Sequence, residues 1–222
     1  WEMFAKMKLA TKIFAGFVVV AAIAGVIGMF GIYQLQKLEH ADTMMYESVV
    51  VPLDQIAAIS VAFQRVRVNT RDLLDAPTKE ERANFEKRIK DLRDEITKVS
   101  AAYEKTILTE EGRKLFDEFR KAREAYGADL NKFAELVRQG KSAEAAALIK
   151  GDMAKSSRAE QNVIEKIAHQ KTEMGKQTSI DNTKLASTAT MVMIGLTIVG
   201  LILAILFGLF AARIIRGIIG SL

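Results

Sequence analysis

The chain has no cysteine, two prolines and one tryptophan in 222 residues. Without cysteine there can be no disulfide framework and no thiolate metal site. The sequence also lacks a glycine-rich phosphate loop, an HExxH pair and a GxSxG nucleophile elbow. Its two histidines, His40 and His169, fall at different distances from the apolar runs described below, so they cannot share a metal. No catalytic residue, metal or cofactor is expected. With proline only at positions 52 and 77, almost nothing in the chain stops a helix.

A strong charge of one sign is also missing where it would count. The isoelectric point near 9.3 invites a nucleic-acid reading. However, Lys6, Lys8, Lys12, Arg213 and Arg216 flank the apolar ends, and the middle holds twenty-seven Lys/Arg against twenty-six Asp/Glu. Such basicity is the signature of membrane topology, and no nucleic-acid partner is expected.

What the chain does have is two long uncharged runs. Residues 185–212 carry no charge over twenty-eight positions, and residues 13–36 carry none over twenty-four. About 20 apolar residues cross a bilayer as a helix, so both runs are long enough. The first is too long for the apolar part of a signal peptide and is read as a retained span. Lysines before it and arginines after the second run put both ends on the cytoplasmic side. The expected layout is a lead-in over 1–12, a span over 13–36, an external segment over 37–184, a second span over 185–212 and a short tail over 213–222. Gly16, Gly25, Gly28 and Gly31, with Ala21 and Ala24, offer a small-residue face for close helix approach.

The middle segment reads as helix throughout. Leu35, Leu38, Met45, Val49, Ile56, Ile59, Phe63, Val66 and Leu73 form one stripe, with Pro52 expected to kink the helix or loosen the turn before it. A stop at Asp75-Ala76-Pro77 precedes a capping box, Thr78 with Glu81. The second helix carries Phe85, Ile89, Leu92, Ile96, Val99 and Tyr103. A third starts at Thr109-Glu110-Glu111-Gly112, carries Leu115, Phe119, Ala122, Tyr126, Phe133 and Val137, and stops at Gly140. Ser142 is expected to cap a short helix ending near Lys150. A fourth helix, with the thin stripe Val163, Ile164, Ile167 and Met174, then runs without a break into the second span. Surface charges are expected in i,i+4 pairs such as Glu86–Lys90. The predicted class is all-α: an up-down-up-down four-helix bundle continuous with two transmembrane helices.

One cluster points to a ligand. Arg67 and Arg71 are four residues apart beside the core stripe, and paired guanidinium groups can grip a carboxylate bidentately. The alternative is that both arginines are solvated or paired with Asp72, Asp75 or acids of the fourth helix.

The basic N-terminus, first span, helical bundle with VRVNTRDLL, and second span ending ARIIRGIIGSL together resemble bacterial methyl-accepting chemotaxis proteins. The resemblance implies a homodimeric, two-pass receptor of the bacterial inner membrane, in contact with lipid, whose periplasmic bundle binds a small anion between subunits. In the aspartate receptor of that family three arginines grip the ligand. Arg67 and Arg71 match the last two of them and Ala62 stands where the first would be. Candidate ligand contacts are therefore Arg67, Asn69, Thr70 and Arg71 on the first helix, and Arg158, Gln161 and Asn162 on the fourth. The tail Arg213–Leu222 resembles the start of a HAMP linker, with Gly217 or Ser221 where a proline is usual. A signal would pass along the fourth helix to that linker, then to a chemotaxis kinase and coupling protein. Alternatives are the sensor of a histidine kinase or diguanylate cyclase, or a structural bundle with no ligand.

Overall fold

The structure, a computed structural model, describes residues 9–219. Residues 1–8 of the lead-in and 220–222 of the tail, on which part of the expected linker falls, lie outside the described residues. The helices are α1 (Leu9–Met45), a π-helical turn (Tyr46–Val50), α2 (Val51–Asp75), α3 (Lys79–Glu104), α4 (Glu110–Arg138), the short α5 (Ser142–Lys150) and α6 (Asp152–Ile219). No strand occurs among the described residues, and the fold is an all-α four-helix bundle. The chain forms two compact units: Thr43–Ser179, and the flanking residues up to Asp42 and from Ile180.

Local chemistry sets the helix ends. α2 stops before Pro77, whose ring disfavours helix at the residue before it. At the start of α3, the Thr78 hydroxyl accepts from the Glu81 N–H at 3.2 Å, and the Glu81 carboxylate accepts from the Thr78 N–H at 3.2 Å. This is the reciprocal capping box. Thr109 caps α4 by accepting from the Gly112 N–H at 3.1 Å. After α4, Gly140 takes φ +74°, a left-handed conformation that suits glycine best. Ser142 does not cap α5. It is the first helical residue, Lys141 occupies the cap position, and no side chain closes that end.

The core of the bundle is one cluster from all four long helices. α2 contributes Ile56, Ile59, Phe63, Val66 and Leu73; α3 adds Ile89, Leu92, Ile96 and Tyr103; α4 adds Phe116, Phe119, Tyr126, Leu130, Phe133 and Val137. On α4 the face is rotated slightly from the expected stripe, so Phe116 and Leu130 are buried while Leu115 and Ala122 are only half-buried. Leu35 and Leu38 are exposed, and the buried stripe begins at Val49. Glu86 pairs with Arg138 across α3 and α4 at 3.1 Å, and Lys90 pairs with Asp94 at 2.8 Å. The expected Glu86–Lys90 pair gives way because each side chain finds a better-placed partner.

α6 enters this core with polar groups. Its buried positions include Met153, Ser157, Glu160, Ile164, Ile167 and Lys171, a clean helical spacing interrupted by a carboxylate and an ammonium. Lys171 is 4% exposed, and its Nζ donates to the Ser48 carbonyl at 3.0 Å while lying 5.8 Å over the Tyr103 ring. Pro52 explains the carbonyl's availability. Four residues after Ser48, it has no N–H to return to that oxygen, and the helix loosens into a π turn just before it. The lysine supplies the donor that the proline lacks.

In the other unit, two helices are long and apolar enough to cross a membrane, with almost none of their most apolar windows buried. Phe14, Phe17, Met29, Leu201 and Leu209 all point outward and exposed. Where α1 and α6 meet, glycines make the approach possible. A Cβ on Gly16 would fall on the Phe207 ring, and one on Gly200 would come within 3.2 Å of Ile23 and Ile27. Gly25 and Gly28 face open space. The small-residue face of the first span is thus divided, with Gly16 and Gly31 used inside the chain.

The Lys171–Ser48 bond generates a stability test. Lys171→Met leaves a buried carbonyl without its donor and is expected to cost about 1–3 kcal/mol. Pro52→Ala restores a backbone N–H, so the same replacement in that background should cost about 1 kcal/mol less in a double-mutant cycle. Thermal denaturation followed by circular dichroism reads both. Equal costs in the two backgrounds would detach the lysine from the proline.

Candidate functional site

α2 places its polar residues around a tight apolar stripe. Phe63, Val66, Thr70 and Leu73 face the core, which leaves Arg67 half-buried at the edge and Arg71 exposed one turn on. The Arg67 guanidinium lies 5.8 Å over the Phe63 ring. Its Nη1 donates to Gln64 Oε1 at 2.9 Å and to Gln161 Oε1 of α6 at 2.8 Å. Gln161 in turn donates from Nε2 to Glu165 Oε1 at 2.8 Å, which fixes the orientation of its amide. Of the residues selected from sequence, the structure therefore links Arg67 and Gln161 directly.

The others are placed less uniformly. Thr70 is 2% exposed and spends its hydroxyl on the Val66 carbonyl at 2.7 Å, so it has no surface to offer a ligand. Asn69 is half-buried and donates to the Arg65 carbonyl at 2.7 Å. Arg158 is exposed and donates from Nε to the Ala154 carbonyl at 3.1 Å, and Asn162 is exposed beyond it. Ala62, which by the resemblance stands where the first of three arginines would be, is in the core.

Sequence reasoning missed the residue next to Gln161. Glu160 is 1% exposed, and neither carboxylate oxygen has a hydrogen-bond donor among the described residues. Its counter-charge is Arg123 of α4, with Nη1 at 3.8 Å from Oε1, inside ion-pair range but beyond a hydrogen bond. Burial pushes the Glu160 carboxyl up to about 7, while Arg123 and Arg93 pull it back. Burial also raises the Tyr126 phenol, with the Glu160 charge adding to the effect. Glu160 was detectable in the sequence only through its register, three and seven residues after Ser157 and Met153 on the buried face.

Two comparisons bear on this arrangement. Residues 6–186 match the family described as a four helix bundle sensory module for signal transduction. A protein of Acetivibrio thermocellus named as a sensory transducer protein is 31% identical over 157 residues, which are 71% of this chain and 28% of that protein. The chain spans less than a third of that relative's length.

Glu160 also makes stability depend on pH. The folded state holds its proton up to about pH 7, whereas an unperturbed carboxyl releases it near 4.5. Between those values the folded state binds more protons at this group, so the Glu160 contribution to stability is greatest below 4.5 and falls as pH rises. The window is worth about 3 kcal/mol at about 1.4 kcal/mol per unit. Thermal denaturation of the full chain in lipid nanodiscs across this range should show the fall, and Glu160→Gln should flatten it. A wild-type profile no steeper than the variant's would contradict the buried, unpartnered carboxyl.

Proposed function

The chain belongs to the four-helix-bundle sensory modules for signal transduction, and on that premise we propose that it is the sensing part of a membrane-spanning chemoreceptor. The bundle unit lies outside the cytoplasmic membrane, and both ends of the chain lie inside. A small anionic ligand, a carboxylate by preference, binds at Arg67 and Arg71 with Gln161 beside them. The signal leaves along α6, through residues 185–212, to a HAMP linker beginning near Arg213, and then to a chemotaxis kinase and its coupling protein.

The observation that carries this reading is the 2.8 Å bond from Arg67 to Gln161. It ties the candidate anion grip on α2 to α6, the helix that runs without a break into residues 185–212. An anion that takes over the Arg67 guanidinium competes with the Gln161 carbonyl for the same donors. It shifts α6 only to the extent that it binds the two placements of that helix with different affinity. The anion's own attraction comes from charged hydrogen bonds in a half-buried setting beside an aromatic ring.

A homodimer fits the outer face of α2. Val61 is 59% exposed and Val68 54% exposed, and Tyr46 and Val50 are exposed on the same helical face toward the π turn. Aqueous helices rarely leave such a stripe uncovered unless something packs on it. A second copy would bring Arg71, three residues from Val68, to the subunit boundary. Val49 and Ile56 are each 3% exposed inside their own bundle and have no part in this face.

A lone cysteine at Val61 should therefore crosslink to its twin under mild oxidation in membranes, while one at Ile59, 1% exposed, should not. Crosslinking confined to α4 would move the interface and sink the dimer as described. For ligand binding, the full chain in nanodiscs is screened by thermal shift against organic acids, amino acids and purines. Arg71→Ala should cost a bound carboxylate about 1.5–3 kcal/mol, roughly 10- to 150-fold in affinity. Binders that are all cationic or neutral, and indifferent to Arg67→Ala and Arg71→Ala, would refute the site.

A further inference from the structure

A second, separate feature opens on the opposite side of Glu160. Between α3 and α4 runs a half-open cleft of about 780 Å³, with Glu160 of α6 at its inner end. This lies within the usual size range of small-molecule sites. Its apolar wall comes from Phe63, Val66, Ile96 and Leu130, with the Tyr126 ring among them. Gly127 keeps α4 bare where Arg93 crosses it, since a Cβ there would come within 3.2 Å of Arg93 Nη2. Glycine inside a helix costs about 1 kcal/mol against alanine, so the room it leaves has a cost in stability.

The polar groups in the cleft define what it would accept. Glu160 has two carboxylate oxygens with no donor to fill them, both almost without accessible surface, so a ligand oxygen reaches them as the side chain turns toward the cleft. Arg123 faces it, with Nη2 already given to the Arg93 carbonyl at 2.7 Å and Thr97 Oγ1 at 2.9 Å. Its Nη1 remains 3.8 Å from Glu160. An oxygen bonded at about 2.8 Å to each would bridge that gap. With Glu160 ionised, as it is above about pH 7, this oxygen must donate to the carboxylate and accept from the guanidinium, which among neutral groups is what a hydroxyl does.

Charge argues against an ion. At the rim Lys90 pairs with Asp94 and Arg120 with Asp117. The remaining charges are three cations, Arg93, Lys121 and Arg123, and two carboxyls, Glu124 and Glu160, and both arginines already donate to neutral acceptors, Arg93 to Asn131 and Arg123 to Thr97 and the Arg93 carbonyl. Thr97 and Asn131 extend the polar edge with further groups that both donate and accept or do so through an amide.

We propose that the α3–α4 cleft is a binding site for a small neutral polyhydroxylated molecule, held by hydroxyl bridges between Glu160 and Arg123 and resting on the Phe63–Leu130 wall. This site shares no grip residue with the anion site at Arg67 and Arg71, and either can stand if the other fails.

The test titrates the full chain in nanodiscs with D-glucose, D-galactose, D-ribose and myo-inositol, one at a time, using saturation-transfer NMR and calorimetry. Methylammonium and acetate serve as charged competitors. At least one polyol should bind saturably, and Glu160→Gln should weaken it tenfold or more. Arg71→Ala should leave that affinity unchanged. A cysteine placed at Thr97 on the cleft wall should be protected from alkylation by the same polyol, a readout independent of any change at Glu160. No saturable binding by any of the four would mean the cleft holds water only. Affinity unchanged in Glu160→Gln, or displacement by either charged competitor, would equally overturn the proposal.

Discussion

The constraint behind much of this structure is that α6 is one helix from Asp152 to Ile219, part of it packed in the bundle and part of it long and apolar enough to cross a membrane. In an apolar surrounding every backbone N–H and C=O must be satisfied within the helix, because no water can substitute. In the bundle the same helix has to present a face to an apolar core. It meets the first demand with an unbroken ladder and the second only partly. Ser157, Glu160 and Lys171 occupy positions where leucine or isoleucine would anchor it better. Most helical stability in proteins comes from packing an apolar face, so α2 and α4, with their continuous stripes, carry more of the bundle than α6 does.

The polar intruders are not equivalent. Lys171 is accommodated by a defect in another helix. Pro52 withholds an N–H from Ser48, the chain opens into a π turn, and the ammonium fills the vacancy at 3.0 Å. Glu160 has no such answer within the described residues, since both of its oxygens lack a donor. A buried ionised carboxylate with only a distant arginine is costly, and the rise of its titration toward neutrality expresses that cost. One group closes a gap in the fold and the other leaves one open.

Much of the fold was legible because its signals are local. The Thr78–Glu81 box, the Thr109 cap, the stop before Pro77 and the loosened turn before Pro52 each depend on residues within one or two turns. Partner choice was not legible. Glu86 chose Arg138, fifty-two residues away, over Lys90, because that choice depends on how α3 and α4 align. Phase errors arose where apolar residues sit side by side, as at Leu115 and Phe116, and where exposure depends on surroundings outside the pattern, as at Leu35 and Leu38. In the candidate site, Arg67 and Gln161 could be selected as residues, yet the bond between them is a tertiary fact. Glu160 and Lys171 were passed over because a polar residue on a thin stripe reads as surface until its neighbours are known.

Glu160 and Gln161 are adjacent in sequence, so they leave α6 about 100° apart on a single turn. One side chain faces the α3–α4 cleft and the other bonds to Arg67 of α2. Any occupant of either place therefore acts on the same turn of the same helix. Coupling between sites in allosteric proteins is typically about 1–3 kcal/mol. That is also about the value of a single hydrogen bond to a charged group. Exchanging the Arg67–Gln161 bond for one to a ligand is thus large enough, by itself, to set the coupling. It acts on a turn where Glu160 takes a core position that an apolar residue would otherwise fill, although Val163, Ile164 and Ile167 pack just beyond it. Placing polar residues at core positions of α6 lowers the stability of the bundle, and it also keeps this turn responsive to a change of that size.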